Sequence, residues 1–426
     1  MDSPPFALQG RYLFPVAAPP IPDGVVTIRG KRLVAVGENT SGRPPQDLGN
    51  VAILPGLISA HTHLEFSDLA QPIGQPGMRF PDWIAQVVAH RRALQATVGD
   101  LLRYRTEAVA RGLQECIVHG TTTLGEIATQ PTVGYDNAKR ATLIREHYST
   151  TVFLELIGLS ESRIESLVQS ARKHLATAQS ARGWRPGLSP HASYTVHPGL
   201  LSQISRLSAE SGVPVAMHLA ESSEELELLT SAGGPFVELL KSLEAWDPTA
   251  IPLGIRPLAY LERLATAYRV LVIHGNYLSS EEINFLAARR ERMSVVYCPR
   301  THAYFAHDDY PLGALLEAGA NVALGTDSRA SNPDLSVLAE LRHAYFAHSE
   351  IPAAAILRLG TENGARALGL ENETGSLAVG KLADLTVVPL PDTETSDPHE
   401  LVFAANTPVV MTYRCGSLID DLRRQR

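Results

Sequence analysis

Two hydrophobic patterns take turns along most of this chain. Short apolar runs rich in β-branched residues alternate with longer stretches whose apolar residues recur every three or four positions. The short runs lie at 53–63, 120–127, 150–158, 185–191, 213–219, 269–275, 293–299 and 321–327. Helical spacing is predicted near 83–96, 101–116, 137–147, 161–181, 197–211, from Ser222 onward, 279–291 and 311–318. Two more helices, near 335–347 and 352–368, follow the last run. Eight strands, each separated from the next by a helix, predict parallel pairing with right-handed crossovers. That is the pattern of an α/β protein closed into a (β/α)8 TIM barrel.

Both ends of the chain read differently. Near the start, GVVTIRG and RLVAVGE are strands between Gly and Pro breaks, and TGSLAVGKLADLTVVPL (374–390) and VVMTYRCGSLI near the end are again strand-like. The expectation is a small β-sandwich domain made from residues 1–52 plus 371–426, with the barrel, 53–370, inserted between its halves. Between the fifth and sixth strands, residues 231–262 form an insertion with several Pro and Gly, on the side of a barrel where lids and pockets are built.

Composition narrows the function classes. The net charge of −8 over 426 residues is dispersed, with no basic run, which argues against a nucleic-acid or anionic-membrane surface. No apolar run reaches membrane-spanning length, and the start lacks a signal-like apolar segment. Cys116, Cys298 and Cys415 lie far apart, without disulfide or thiolate-zinc spacing, so a reducing cytoplasm is the expected compartment. A homodimer is expected only because it is the commonest assembly.

Candidate chemistry sits at the carboxyl ends of the strands. LPGLISAHTHLEFS (54–67) ends its apolar run in His61-Thr62-His63. On a strand the two imidazoles project to one face; on a helix they would diverge by about 200° and could not share an ion. Strand five ends in His218, with Glu221 three residues on; strand six ends in His274 and strand eight in Thr326-Asp327-Ser328. In a barrel these groups converge on one mouth. Each alone has a structural explanation, as a core histidine or a turn aspartate, but all of those must then hold at the same end of the same barrel.

His61-Thr62-His63 after LPGLI, HLAE at 218–221, His274 after VLVI and LGTDS at 324–328 resemble the amidohydrolase superfamily. The chain is most similar to the branch of cytosine, guanine and S-adenosylhomocysteine deaminases and triazine chlorohydrolases. SPHASYTV (189–196) resembles that branch's strand-four motif and GSLAVGKLADLTVV its closing β-segment. The resemblance implies that His61, His63, His218 and Asp327 bind one divalent metal, Zn²⁺ first, with Fe²⁺ or Mn²⁺ as alternatives. It implies that Asp327 takes the proton of the attacking water, that His274 orients or polarises that water, and that Glu221 protonates the substrate ring nitrogen. Strands three and four carry no Lys to bridge two metals, which favours a mononuclear site and gives Glu155 only a structural or tuning role.

The implied reaction is hydrolytic deamination of an amino-substituted heterocycle, an adenosine-like nucleoside derivative above others, with release of ammonia. Where the branch shows a Pro-x-Ser-Asn type sequence, this chain has CPRTHAYF (298–305), so Arg300 and His302 are candidates to reach the pocket. There Arg300 could clamp a carboxylate, which resembles a feature of aminodeoxyfutalosine deaminases. The alternative is a surface Arg beside a capping Thr301. His191, Tyr194 and the Met78-Arg79-Phe80 segment are further pocket candidates, and Trp246 and Tyr260 of the insertion would cover the substrate. Two other functions stay open: removal of chloride or an amide amine by the same hydroxide, and a catalytically silent barrel acting as a binding protein.

Overall fold

The computed structural model describes residues 4–130, 149–180, 184–404 and 407–421. Eight parallel strands form one sheet: β1 (Leu57–Thr62), β2 (Thr121–Ala128), β3 (Ser149–Leu156), β4 (Trp184–Pro190), β5 (Pro214–Leu219), β6 (Arg269–His274), β7 (Met293–Tyr297) and β8 (Asn321–Leu324). They are neighbours in sequence order, and a parallel bridge between Thr62 and Asp327 joins the last strand to the first. This is a (β/α)8 barrel, and its closing seam runs through two candidate metal-ligand segments. The helix expected at 137–147 lies outside the described residues.

The strand expected at 53–63 is two strands. Val51–Pro55 belongs to a six-stranded sheet and pairs antiparallel with Leu385–Pro389, Leu54 opposite Thr386. The chain then passes through Gly56 into β1. A Cβ at Gly56 would lie 2.2 Å from Thr122 Oγ1, so only glycine fits this crossing. Periodicity could not reveal the break, because both pieces are wholly buried and read as one apolar run. The expected helix at 352–368 is likewise two helices, Ala353–Leu359 and Glu362–Ala367, meeting at Gly360-Thr361.

The six-stranded sheet faces a four-stranded one made of Phe6–Gln9, Val25–Arg29, Arg32–Val36 and Gln46–Asp47. Leu8, Val26, Ile28 and Leu33 of one share a core with Ile53, Leu385, Val387 and Met411 of the other. Residues from both ends of the chain therefore bury one apolar interior, the arrangement of packed sheets.

A register slip between Ser59 and Thr62 sets extra residues of β1 against β2. Such a bulge resets the in–out alternation. Ala60 joins the cluster of Ile58, Ile127, Phe153, Ala216 and Val296, yet His61 and His63 still meet above it.

Candidate metal and catalytic centre

His61, His63 and His218 each place a ring nitrogen so that all three lie within 4.8 Å of one another. Asp327 Oδ1 is 3.5 Å from His61 Nε2 and 3.8 Å from His63 Nε2. His218 Nδ1 lies 3.0 Å from the His191 carbonyl, which can only accept, so Nδ1 carries the proton and Nε2 keeps its lone pair. That lone pair faces His63 Nε2 at 3.4 Å. Neither ring nitrogen of His61 has a hydrogen-bond partner among the described residues. Burial holds the His63 and His218 imidazoles well below their usual pKa, hence neutral, as ligands must be. Convergent lone pairs, orphaned buried nitrogens and one carboxylate fit a divalent cation.

The backbone builds this cluster at the seam. His63 N–H donates to the Asp327 carbonyl at 3.2 Å, Thr62 Oγ1 donates to the same carbonyl at 2.8 Å, and Thr326 N–H donates to the His61 carbonyl at 3.0 Å. Asp327 and His274 both sit in left-handed backbone, φ 50° and 66°, which side chains other than Gly adopt at a cost. A Cβ at Gly325 would come within 2.9 Å of the His61 Cβ, so glycine there leaves the imidazole its room.

Glu221 follows Ala220, another left-handed residue, and turns its carboxylate to within hydrogen-bonding distance of His274: Oε1 lies 3.2 Å from Nε2. Its own N–H donates to Glu225 at 2.7 Å, and its carbonyl accepts from Asn276 Nδ2 at 2.8 Å. Burial, followed by the negative neighbours Asp327 and Glu225, pushes the Glu221 carboxyl well above the usual carboxylate range. Burial depresses His274 to about 3. A carboxyl that burial makes hold its proton more tightly, beside a neutral imidazole, is suited to pass a proton across that contact.

One cleft of about 970 Å³, counting the part open to solvent, contains these groups. His63, His218, Glu221, His274 and Asp327 line one end. Much of the remaining lining is apolar and comes from α1 (Phe80–Thr97), α2 (Pro235–Ser242) and the residue that caps α2: Phe80, Trp83, Val87, Leu239, Leu240 and Leu243. The insertion at 231–262 thus does wall the cleft, through leucines. Tyr260 is instead buried with its hydroxyl on the Ser193 carbonyl, and Trp246 is not among the cleft-lining residues. His191, Tyr194 and Phe80 line the cleft; exposed Arg79 pairs with Asp82, and neither Arg79 nor Met78 reaches the cleft.

Arg300 and His302 do not line the cleft, which corrects the expectation drawn from CPRTHAYF. Arg300 lies on α3 (Pro299–Tyr304) and turns away, with Nε 2.7 Å from Glu340 and Nη2 2.7 Å from Asp334. His302 packs its ring against Tyr297 and Tyr310. A six-residue helix offers few faces, and the buried Glu340 carboxylate claims the guanidinium.

Glu126 and Arg91 had no place in the expectations drawn from the sequence, and Glu155 had only a structural or tuning one. Glu126, at the end of β2, accepts the Leu64 N–H with both carboxylate oxygens, at 3.1 and 3.0 Å, and so holds the backbone just after His63. Arg91 on α1 reaches the cleft and pairs with Glu65. Glu155 lines the cleft too. The strand-end rule that singles out the histidines applies equally to Glu126 and Glu155; Arg91, on a helix among other arginines, carries no such signal.

The fold and the ligand cluster define a metal-site barrel hydrolase, and the chain matches the amidohydrolase family over residues 52–416. It belongs to that family. A 5-methylthioadenosine/S-adenosylhomocysteine deaminase of Moorella thermoacetica is 29% identical over 419 residues, 92% of this chain and 88% of the relative. An aminodeoxyfutalosine deaminase of Deinococcus radiodurans is 29% identical over 336 residues, 75% of each. Among solved structures, a zinc-bound adenosine deaminase from Xanthomonas campestris superposes with a TM-score of 0.80 at 24% identity, covering 98% of this chain and 93% of that one.

Proposed function

We propose that this protein hydrolytically removes the 6-amino group of adenosine-type nucleosides modified at the 5′ position. The observation that carries the reading is the Glu221–His274 pair, 3.2 Å apart, opening into the same cleft as the histidine cluster. The two deaminase relatives, each 29% identical, support the substrate class. His61, His63, His218 and Asp327 would hold the ion, for which zinc is our assignment on the donor set of imidazoles and one carboxylate. When bound, that ion lowers the pKa of water from about 16 towards 7.

The side chains do the rest. Glu221, whose carboxyl burial makes hold its proton more tightly, donates to the ring nitrogen and makes the adjacent carbon electrophilic. Asp327 accepts a proton from the attacking water, and His274 aligns that water by hydrogen bonding. The proton held on Asp327 then goes to the departing amine and the adduct's hydroxyl returns its proton to Glu221, so water and the amidine become a ring carbonyl and ammonia with both side chains reset. Three separated free cysteines support a reducing cytoplasm as the compartment.

The test is ammonia release from adenosine, 5′-methylthioadenosine, S-adenosylhomocysteine, aminodeoxyfutalosine, cytosine, guanine and an amino-triazine. Turnover of 5′-modified adenosines, abolished by Asp327→Asn, is expected. Chloride release from a chlorotriazine without nucleoside turnover would overturn the reading, and ligand binding without any hydrolysis would make the barrel a binding protein. With Arg300 engaged elsewhere, aminodeoxyfutalosine has no special claim over the other nucleosides.

A further inference from the structure

The chain leaves β6 in a backbone conformation that a histidine disfavours. His274 has φ 66° and Gly275 φ 63°, so two left-handed residues stand in succession. Glycine adopts that region freely, whereas a histidine is strained there and persists only when its surroundings fix it. The peptide between the two is pinned at both ends. Gly275 N–H donates to the Leu219 and Ile273 carbonyls, each at 3.1 Å, and the His274 carbonyl accepts from the Tyr310 hydroxyl at 3.0 Å. Two residues on, Asn276 Nδ2 holds the Glu221 carbonyl at 2.8 Å, so one turn fixes both members of the Glu221–His274 pair.

Tyr310 is itself clamped. It is buried, and its ring stacks on Tyr297 with centroids 3.6 Å apart and planes 12° from parallel. The Tyr297 hydroxyl lies 3.3 Å from Nε2 of His348, the residue that caps helix Val337–Ala347. His302 of α3 sets its ring nearly perpendicular to both tyrosines, at 80° and 88°. Burial pushes the Tyr310 phenol well above its usual range, so the hydroxyl keeps its hydrogen and donates it to the carbonyl, which can only accept. A buried tyrosine needs some hydrogen-bond partner. That need alone does not select the one strained residue whose ring meets Glu221.

We propose that Tyr310 is a positioning residue for the reaction: by holding the His274 carbonyl, it keeps the His274 ring on Glu221. This rests on the reading of Glu221 and His274 as the pair that handles protons in the cleft. Their contact, 3.2 Å between Oε1 and Nε2, stands at the long end of the hydrogen-bond range, so a small rotation of the 274–275 peptide breaks it. Without the Tyr310 hydroxyl the left-handed residue loses a support, and relaxation towards ordinary backbone swings the imidazole off the carboxyl. The CPRTHAYF segment then serves the centre from behind: His302 packs the tyrosine stack and does not reach the substrate.

The test is a double-mutant cycle of Tyr310→Phe and His274→Ala on the metal-loaded enzyme, using the most rapidly hydrolysed member of the panel given above. Tyr310→Phe should lower kcat by about 10- to 100-fold with KM within about twofold, because a misplaced ring costs rate and not binding. In the His274→Ala background the same exchange should change kcat by less than about twofold, since its effect runs through that imidazole. Tyr297→Phe removes a hydroxyl from the same stack without touching His274, and should leave kcat within about twofold. Unchanged kcat in Tyr310→Phe overturns the proposal. An equal loss in both backgrounds, or in Tyr297→Phe, overturns it too and marks the stack as structural. The exchange to Phe keeps the stacked ring, and melting curves check the fold of each variant before assay. A crystal structure of Tyr310→Phe with the His274–Glu221 contact intact would also count against it. If His274→Ala alone leaves kcat unchanged, or no panel member is hydrolysed, the reading of the pair fails and the proposal with it. A loss in His274→Ala without one in Tyr310→Phe sinks the proposal alone.

Discussion

Ser331 donates its hydroxyl to Oδ2 of Asp327 at 2.8 Å. Thr301 Oγ1 lies 3.0 Å from Ser331 Oγ, and since the Ser331 hydrogen is committed to Asp327, Thr301 supplies the donor there. The carboxylate thus has one oxygen directed at the histidines and the other tied through Ser331 to Thr301 on α3. The orientation of an acid that must both ligate and carry a proton is set from outside the cluster.

Ser331→Ala cuts that tether and leaves Asp327 free to rotate. Expected is a loss of about 10- to 100-fold in metal affinity or kcat/KM. Titration of the metal-free protein with zinc, alongside steady-state kinetics, checks it; unchanged values for both would show the tether to be idle.

Arg300→Ala should act on stability and not on substrate choice. Glu340 is fully buried and also accepts from Asn332 Nδ2 at 2.6 Å, so removing Arg300 strands a negative charge inside the protein. The expected cost is about 3–5 kcal/mol of unfolding free energy in a urea titration. Relative kcat/KM values across the nucleoside panel should stay within about twofold at a temperature where the variant is folded.

Removal of the metal by a strong chelator should abolish ammonia release, and one equivalent of zinc should restore it. The melting temperature should fall on chelation and recover on reloading, because a ligand that binds the folded state alone stabilises it by mass action. Activity that survives exhaustive chelation would refute the assignment of His61, His63 and His218 as ligands.

Leu243→Ala trims the apolar wall at a position that is only partly buried. Lost contact with the 5′ substituent should raise KM for 5′-methylthioadenosine by about 3- to 10-fold relative to adenosine. Parallel KM measurements on the two nucleosides read it; an equal change for both would place the substituent elsewhere.

Burial, opposed by Arg91, raises the Glu155 carboxyl to about 7, with a signed consequence for stability. The folded protein holds this proton up to about 7, whereas the unfolded chain releases it near 4.5. The contribution is fully present below about 4.5 and is lost as pH climbs through about 7. Thermal melts of the metal-free protein should show wild type losing stability relative to Glu155→Gln between pH 5 and 8. A difference independent of pH would contradict the burial effect.

The sequence by itself determined the alternation of strands and helices, because parallel strands buried on both faces read as unbroken apolar runs and amphipathic helices read with their own period. It also determined which side chains gather at one end, since a barrel sends the carboxyl end of every strand to the same mouth. That is how His61, His63, His218, His274 and Asp327 were legible although up to 266 positions separate them. Tertiary structure decided what depends on orientation. Val51–Pro55 and Leu57–Thr62 look alike as strings, and only their pairing, antiparallel with Leu385–Pro389 for the one and parallel with Thr121–Ala128 for the other, assigns them to different sheets. Arg300 belongs to Glu340 and not to the cleft because a partner 40 residues away captures it, and no local pattern encodes that choice. Tyr310 and His274 became visible as a pair for the same reason: residue type and spacing in a sequence do not say which groups the fold will bring together.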